Sequence, residues 1–175
     1  NEYVERYHYL GYKQPFGARQ EYFIISGNGE KLGCILLAAS AWALEARDKW
    51  IGWNEEERIK HLNLIVNNTR FLIFPWVKVK NLASHALSLV SKRVRQDWLL
   101  RYGYEPVLLE TFVDIEKYLG TCYKAANWIY LGNTTGRGRM DTQNKKTLSQ
   151  KQIYMYPLVK DFRKYLCSKG SMNNE

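Results

Sequence analysis

Two short apolar runs separated by a turn form the clearest local pattern near the start of the chain. EYFIIS (21–26) and KLGCILLAAS (31–40) are rich in β-type residues, and GNGE (27–30) separates them. Because glycine and asparagine tolerate the backbone angles of tight turns, this pattern predicts a β-hairpin. Residues 1–20 are aromatic and polar with several breakers, and they predict an N-terminal extension with a helical turn or two in residues 1–10.

Helical and strand patterns alternate through the middle of the chain. Asn54 followed by three glutamates predicts the N-terminus of a helix that extends to about Leu64. VNNTRFLIF (66–74) predicts a strand that ends at Pro75. A long amphipathic helix follows from Leu82 to about Arg101, with Gly103 as its C-terminal stop. Its predicted apolar stripe consists of Leu82, Ala86, Leu89, Val90, Val94 and Trp98.

The last third of the chain predicts three more strands. VLLETFV (107–113) is apolar enough to be buried on both faces, and WIYLGNTT (128–135) and QIYMYPL (152–158) follow it. Short helices are predicted over 115–127, with a break at Gly120, and over 159–167. This order predicts an α/β (α+β) fold with a mixed, partly parallel central sheet flanked by helices. It is expected to form a single domain over 1–175 with a frayed tail at 168–175.

Composition and charge narrow the class of protein. The 175 residues are 46% hydrophobic and 25% charged, as in ordinary globular domains, and the formal net charge is +9. This charge favours an anionic partner, nucleic acid first, although many basic proteins bind none. Cys34, Cys122 and Cys167 lack metal-ligand or redox spacing, which favours reduced thiols. With no apolar run long enough to cross a membrane, we expect a cytoplasmic protein.

Several long segments in the same order resemble one known family. They are GYKQPFGARQ (11–20), RDKWIGW (47–53), NNTRFLIFPWVKVKNLASHALSL (67–89), RYGYEPVLLETFVD (101–114) and GTCYKAANWIYLGNTTGRGRMD (120–141). Together they resemble the DruA-like family of the Druantia anti-phage system, whose relatives also occur in transposase-like proteins. The resemblance covers about Tyr12 to Pro157, and it implies a role in antiviral defence or mobile-element biology without an established reaction.

The order of elements also resembles the fold of the N-acetyltransferase (GNAT) superfamily. In that superfamily, a glycine-rich loop before the long helix cradles the pyrophosphate of coenzyme A. The equivalent segment here is VKVKNLAS (77–84), which contains no glycine. The resemblance therefore implies the fold, whereas the binding of an acyl-coenzyme A is not implied by this loop. No cofactor is assigned from the sequence.

Polar residues within two predicted strands are the candidates for catalysis. Glu110 lies inside the apolar run VLLETFV, where a carboxylate needs a partner or has a raised pKa. It is read either as a general base or as half of a structural ion pair, for which Arg70 is the candidate partner. Strict alternation along VNNTRFLIF predicts that Asn68 and Arg70 share one face, while Asn67 and Thr69 share the other. Asn68 and Arg70 are therefore candidates for lining a cleft.

Two helix ends supply further candidates. Ser84 lies in the first turn of the long helix, where free N–H groups suit a phosphate, and Asn81 is expected to cap that turn. Lys124 and Asn127 lie in the YKAANW motif (123–128). Lys124 is a candidate phosphate contact, and Asn127 is read as a cleft residue or as a left-handed C-cap.

The segment GNTTGRGRMD (132–141) is the strongest candidate for binding nucleic acid. Its glycines allow close backbone approach to phosphate, and Arg137 and Arg139 can hold phosphate in bidentate geometry. Lys145 and Lys146 extend the charge. The alternative is a solvated basic loop. Trp42, Trp50, Trp53 and Trp76 are candidates for stacking on bases, although most tryptophans are expected in the core. No spacing typical of a metal site occurs.

Three functional hypotheses follow. The first is a nucleic-acid-associated protein of defence or mobile elements, with DNA as the expected partner and with Glu110, Arg70 and Asn127 converging beside positive charge. The second is an acyltransferase-like enzyme that uses Glu110 as its base. The third is a structural subunit that docks a larger defence partner such as a helicase. No acidic triad of the transposase type is evident, so we do not expect this chain alone to cut DNA.

Overall fold

A computed structural model describes residues 1–135 and 149–167. Within these ranges, six strands form one mixed sheet in the order β1-β2-β3-β4-β6-β5. The strands are β1 (Arg19–Ile25), β2 (Lys31–Ala39), β3 (Ile65–Ile73), β4 (Leu108–Asp114), β5 (Ile129–Asn133) and β6 (Lys151–Pro157). This arrangement confirms the predicted fold class.

Helices lie on both sides of the sheet. They are α1 (Glu2–Tyr7), α2 (Glu45–Ile51), α3 (Glu55–His61), α4 (Leu82–Tyr102), α5 (Thr121–Ala125) and α6 (Arg163–Leu166). A short 3-10 turn, Leu62–Leu64, joins α3 to β3. Among the described helices, none combines the length and the apolar character needed to cross a bilayer.

The sheet contains one parallel junction, at its centre. Pairing is antiparallel from β1 to β2 and from β2 to β3, and again from β4 to β6 and from β6 to β5. Only β3 and β4 are parallel, and their pairing extends from Ile65 opposite Leu108 to Asn68 opposite Thr111. Beyond this last pair the two strands separate. The separation leaves the ends of β3 and β4 unpaired with each other.

A β-bulge in β3 lies just before this separation. Leu37 pairs with Asn68 and Leu36 pairs with Arg70, so Thr69 is an extra residue. The alternation predicted for β3 is therefore wrong, because the bulge reverses the faces. Asn68 contacts Tyr123 on one side of the sheet, whereas the Arg70 guanidinium donates to the carbonyl oxygen of Gly11 in the N-terminal extension.

Each face of the sheet has its own apolar core. The long helix α4 packs Ala86, Leu87, Val90, Val94 and Trp98 against one face. The predicted stripe was therefore wrong at Leu89, which is 49% exposed, and it missed Leu87. On the other face, α2, α3 and α6 enclose a second cluster that contains Ile51, Leu108 and Phe162.

Two short helices differ from their sequence predictions, and a third begins where it was predicted. α2 was not predicted within the tryptophan-rich segment 41–53, although Gly52 ends it with a φ of 84°. α5 begins only after Gly120, because residues 115–117 form a turn. α3 begins as predicted: Asn54 accepts from the Glu57 N–H, and the Glu57 carboxylate accepts from the Asn54 N–H.

Candidate functional site

The separation of β3 and β4 opens a cleft of about 410 Å³. Its walls come from the unpaired ends of the two strands, including Phe71 and Val113, and from the starts of α4 and α5. Val113 belongs to the apolar core beneath α4, and Phe71 packs against that core, so the walls are rigid. Both strand ends remain paired on their outer edges, to β2 and β6, so only the edges that face the cleft offer free N–H and C=O groups beside its apolar contacts.

A buried polar cluster forms the floor of this cleft. The Tyr123 hydroxyl donates to Asn68 Oδ1 at 2.7 Å, and the Thr111 hydroxyl donates to the Asn68 carbonyl oxygen at 3.0 Å. Asn68 Nδ2 donates in turn to the carbonyl oxygens of Leu36 and Arg70. Because these bonds hold the Asn68 side chain in one orientation, the floor is fixed before any ligand binds.

The N-terminal extension forms one wall of the cleft. His8, Tyr9 and Leu10 line it from one side, and Tyr118 and Leu119 line it from the other. The rings of Tyr9 and Tyr118 lie 5.5 Å apart, so the two sides meet at the entrance. This contribution of residues 8–10 was not predicted, because no local pattern in an extension reveals which surface it crosses.

Titratable groups in the cleft are present, but they do not form a nucleophile and base pair. Burial, reinforced by the positive charge of Arg70, lowers the pKa of His8 to about 4, so the ring is neutral at pH 7. Burial raises the pKa of the Cys122 thiol, which keeps it protonated and a weak nucleophile. The Asp114 carboxylate accepts from the Ser149 hydroxyl and from the Glu116 N–H, both at 3.1 Å.

Four exposed lysines lie in the chain segments that flank the cleft-lining residues. Lys78 and Lys80 lie in the connection that leads into α4, and Lys117 and Lys124 lie on the opposite side, before and within α5. Within 1–135 and 149–167, none of the four has a carboxylate within salt-bridge distance. By contrast, Arg93 on α4 pairs with Asp97, at 2.6 Å. The positive charge of these four lysines is therefore not neutralised by an ion pair within the described residues, whereas part of the charge on α4 is.

Glu110 lies on the opposite face of the sheet from this cleft. Its side chain has no exposed surface, and one carboxylate oxygen accepts from Arg47 Nη1 at 3.0 Å. The other oxygen accepts from the Ala41 N–H at 2.7 Å. Its pKa is raised by burial, although Arg47 opposes the shift. The structural ion pair is therefore present, but its partner is Arg47 and not Arg70.

The other predicted residues do not converge with Glu110. Asn127 is exposed and has a φ of 63°. This left-handed backbone agrees with its reading as a C-cap, and the residue does not line the cleft. Arg70 does not line the cleft; its guanidinium donates to Gly11 of the N-terminal extension, which forms one cleft wall. Among the four candidates for catalysis, only Asn68 lines the cleft. The expected meeting of Glu110, Arg70 and Asn127 at one opening is wrong, because the bulge and the strand faces point them in different directions.

The start of α4 also differs from its prediction. Asn81 has a φ of 59° and makes no side-chain cap, so the expected capping is wrong. This positive φ is a conformation that glycine usually supplies. The Ser84 hydroxyl donates to the Asn81 carbonyl oxygen at 3.1 Å, and Ala83 lines the cleft. Arg137, Arg139, Lys145 and Lys146 lie outside the described residues.

Comparison with known proteins settles the family. A family model described as "Druantia protein DruA" matches residues 1–146. The chain belongs to the DruA family. Its broad class is therefore that of the Druantia anti-phage defence proteins, as the sequence motifs implied. A comparison with curated proteins finds no significant match.

Solved structures similar to this DruA family chain are acetyltransferases. A chimera of the spermidine N-acetyltransferase SpeG from Vibrio cholerae with hSSAT has a TM-score of 0.50 and 10% identity, covering 81% of this chain and 68% of its own. A point mutant of SpeG from the same organism has a TM-score of 0.51 and 10% identity, covering 86% and 70%. At this identity the likeness shows a GNAT-like fold alone.

Proposed function

We propose that this DruA family protein acts in anti-phage defence by binding nucleic acid at the entrance of the cleft between β3 and β4. The observation that carries the proposal is the set of four exposed lysines in the segments that flank the cleft, none of which forms a salt bridge within residues 1–135 and 149–167. Phosphates are attracted by such unneutralised charge, and lysines bind them as point charges. The start of α4 adds free backbone N–H groups beside Lys78 and Lys80.

The basic segment that follows β5 supports the same location. Thr134, at its start, donates its N–H to the Lys151 carbonyl oxygen at 2.8 Å. Ser149, just after its end, contacts Asp114, which lines the cleft. The chain therefore enters and leaves this segment close to the cleft. Arg137, Arg139, Lys145 and Lys146 remain candidate phosphate contacts of the same site.

Binding of a labelled oligonucleotide, followed by fluorescence anisotropy between about 50 and 200 mM salt, tests this proposal. Affinity should fall linearly on a double-logarithmic plot, because each neutralised phosphate releases counterions. The double variants Lys78→Gln/Lys80→Gln and Arg137→Ala/Arg139→Ala should each bind more weakly and reduce the slope by about 1 for each lost phosphate contact.

The matched control is the double variant Lys49→Gln/Lys60→Gln. Both lysines are exposed, and they lie on α2 and α3, which precede the start of β3 and so lie at the other end of this strand. This variant removes the same charge and should leave the slope unchanged. Equal losses in the control and in the Lys78/Lys80 variant would mean that only net charge matters, and the proposed site would be wrong.

A second candidate function is acyl transfer with an acyl-coenzyme A. It is favoured by the opening between β3 and β4 and by the acetyltransferase-like fold. Lys78, Lys80 and the start of α4 would hold the pyrophosphate. Glu110 would not serve as the base, because it lies on the other face and both its oxygens accept hydrogen bonds. Asn68 and Tyr123 are the polar groups at the floor.

Thermal unfolding with and without acetyl-coenzyme A tests this second candidate. A ligand that binds only the native state raises the melting temperature as its concentration exceeds the Kd. We expect a shift with acetyl-coenzyme A and none with acetate if the cleft binds the coenzyme. The absence of any shift at saturating concentration would contradict the candidate and would leave the nucleic-acid proposal unaffected.

A further inference from the structure

Five aromatic side chains from α1, β1 and the turn after β3 form a continuous strip. Phe74 is buried at its centre, and the ring of Tyr3 stacks on it at 4.6 Å with an interplanar angle of 25°. Trp76 lies 5.0 Å from Phe74, and Tyr7 meets Trp76 edge-on at 5.2 Å. Phe23 of β1 extends the strip with an edge contact to Tyr3 at 6.2 Å. We call these five residues the aromatic strip.

Two parts of the chain, α1 and the turn after β3, hold four of these five rings in place. Tyr3 and Tyr7 are four residues apart, so they project from the same side of α1. Phe74 follows β3 and donates its N–H to the Leu32 carbonyl oxygen at 3.0 Å. The Val77 N–H then donates back to the Phe74 carbonyl oxygen, closing a turn with Trp76 near its tip. The turn directs the Trp76 ring outward.

Much of the aromatic strip remains exposed although its rings are fixed by their neighbours. Trp76 is 57% exposed, Phe23 is 48% exposed and Tyr7 is 41% exposed. A large apolar side chain normally gains free energy by burial, and single exposed ones are common. Tyr7 and Trp76 contact each other, and Phe23 is joined to them through Tyr3 and Phe74. Exposed rings connected in this way form a patch, and such patches mark interaction surfaces.

Positive charge borders the strip and no described carboxylate neutralises it. Lys31 Nζ lies 4.6 Å from the centroid of the Phe23 ring, in cation–π geometry. Lys78 and Lys80 follow Trp76 within four residues, and both are exposed. Among the residues of 1–135 and 149–167, none of these three lysines forms a salt bridge. The exposed rings therefore have lysines without ion-pair partners beside them, in space for Lys31 and along the chain for Lys78 and Lys80.

We propose that the aromatic strip binds single-stranded nucleic acid, with unpaired bases stacking on Trp76 and Tyr7 and phosphates contacting Lys31, Lys78 and Lys80. This inference rests on the proposed function and adds the form of the nucleic acid. Every base has a π-face, so rigid exposed rings beside positive charge bind single strands with little regard to sequence. In a duplex these faces are already covered by neighbouring base pairs, so the strip favours single strands.

Substitutions at Trp76 separate stacking from general apolar contact. Trp76→Leu keeps an apolar side chain but removes the π-face, and it should weaken binding to a single-stranded oligonucleotide by roughly 5- to 150-fold. Trp76→Phe should retain most of the affinity. Neither substitution should change the salt slope, because stacking releases no counterions, whereas Lys78→Gln/Lys80→Gln should lower it.

The matched control is Trp42→Leu. Trp42 is 52% exposed and contacts Arg58, and it follows β2 near the start of β3, at the opposite end of that strand from Trp76. Anisotropy with a single strand and with its duplex, at one salt concentration, completes the experiment. The inference is supported if Trp76→Leu loses affinity and Trp42→Leu does not, and if the parent protein binds the single strand more tightly than the duplex.

Three results would overturn it in distinguishable ways. If oligonucleotides bind and Trp76→Leu matches the parent protein, the aromatic strip is not the site, while the proposed function stands. If Trp42→Leu loses as much affinity as Trp76→Leu, the effect is not specific to the strip. If neither single strands nor duplexes bind at low salt, both the inference and the proposed function fail.

Discussion

Adjacent residues in β4 have unlike environments at the parallel junction. Thr111 points toward the cleft and bonds to the Asn68 carbonyl oxygen, whereas Glu110 points to the other face and pairs with Arg47. Arg47 also has no exposed surface, and its Nη1 donates to the Ala41 carbonyl oxygen at 2.8 Å. Glu110 and Arg47 therefore join the segment after β2 to the centre of the sheet.

Removing one member of this ion pair should be much more harmful than removing both. Glu110→Leu removes one of the two carboxylates that pair with the buried Arg47, the other being Asp48 at 2.9 Å, and we expect a loss of about 3–5 kcal/mol in the free energy of unfolding. The double variant Glu110→Leu/Arg47→Met should recover most of it, because two apolar side chains of similar size replace the pair. Urea denaturation of the parent, both single variants and the double variant measures this coupling. Additive losses would show that the pair does not act as a unit.

At the scale of elements, β2 pairs closely with the strands on both of its sides. Gly33 in β2 lies opposite Ile24 on one side and Ile73 on the other. A Cβ atom at Gly33 would collide with the backbone carbonyl oxygen of Leu72, which cannot move without shifting β3. The close approach of the two backbones at this point therefore requires glycine.

Gly33→Ala should destabilise the sheet by roughly 1–3 kcal/mol, because overpacking at a backbone contact forces the strands apart. Gly27→Ala is the matched control, because a Cβ atom at Gly27 meets no atom within 4 Å and its φ is not in the left-handed region. Thermal unfolding should show a lower melting temperature for the first variant and a nearly unchanged one for the second. Equal melting temperatures would mean that β2 and β3 can separate locally.

At the scale of the whole molecule, the N-terminal extension links the start of the chain to the central cleft. Val4 packs into the apolar cluster around Leu72 and Phe74, and Gly11 accepts from Arg70 at 2.9 Å. Between these two anchors, His8 lies in the cleft wall with its Nδ1 accepting from the Leu10 N–H. The neutral form of His8 is therefore the form that the folded protein favours.

Acidification should weaken this attachment. The pKa of His8 is about 4 in the folded protein against an ordinary value of 6.5, so between these two values the unfolded chain binds the proton and the folded protein does not. Stability contributed by His8 is therefore present above about pH 6.5 and is lost as the pH falls toward 4. His8→Gln should reduce the loss of melting temperature between pH 7 and pH 5 relative to the parent. An identical pH profile in both proteins would contradict this assignment.

The sequence by itself determined the class of fold and the family. The hairpin, the strand that ends before Pro75, the long helix and the buried strand VLLETFV all follow from local patterns, because period and turn residues act within a few positions. The family motifs extend over most of the chain, and the family model confirms them. Asn68, which the sequence suggested as a cleft residue from its position near the start of a buried strand, lines the cleft, and its functional role stays a prediction.

Only the tertiary structure decided how the polar residues are arranged. One extra residue, Thr69, reverses the faces of β3, and no local signal marks such a bulge. The partner of Glu110 is Arg47, 63 positions away in the chain, and the aromatic strip joins α1 to the turn after β3. Contacts between distant segments depend on register and on strand order, which spacing along the chain does not encode. The elements were therefore predictable one by one, while the cleft and its surroundings arise only from their packing.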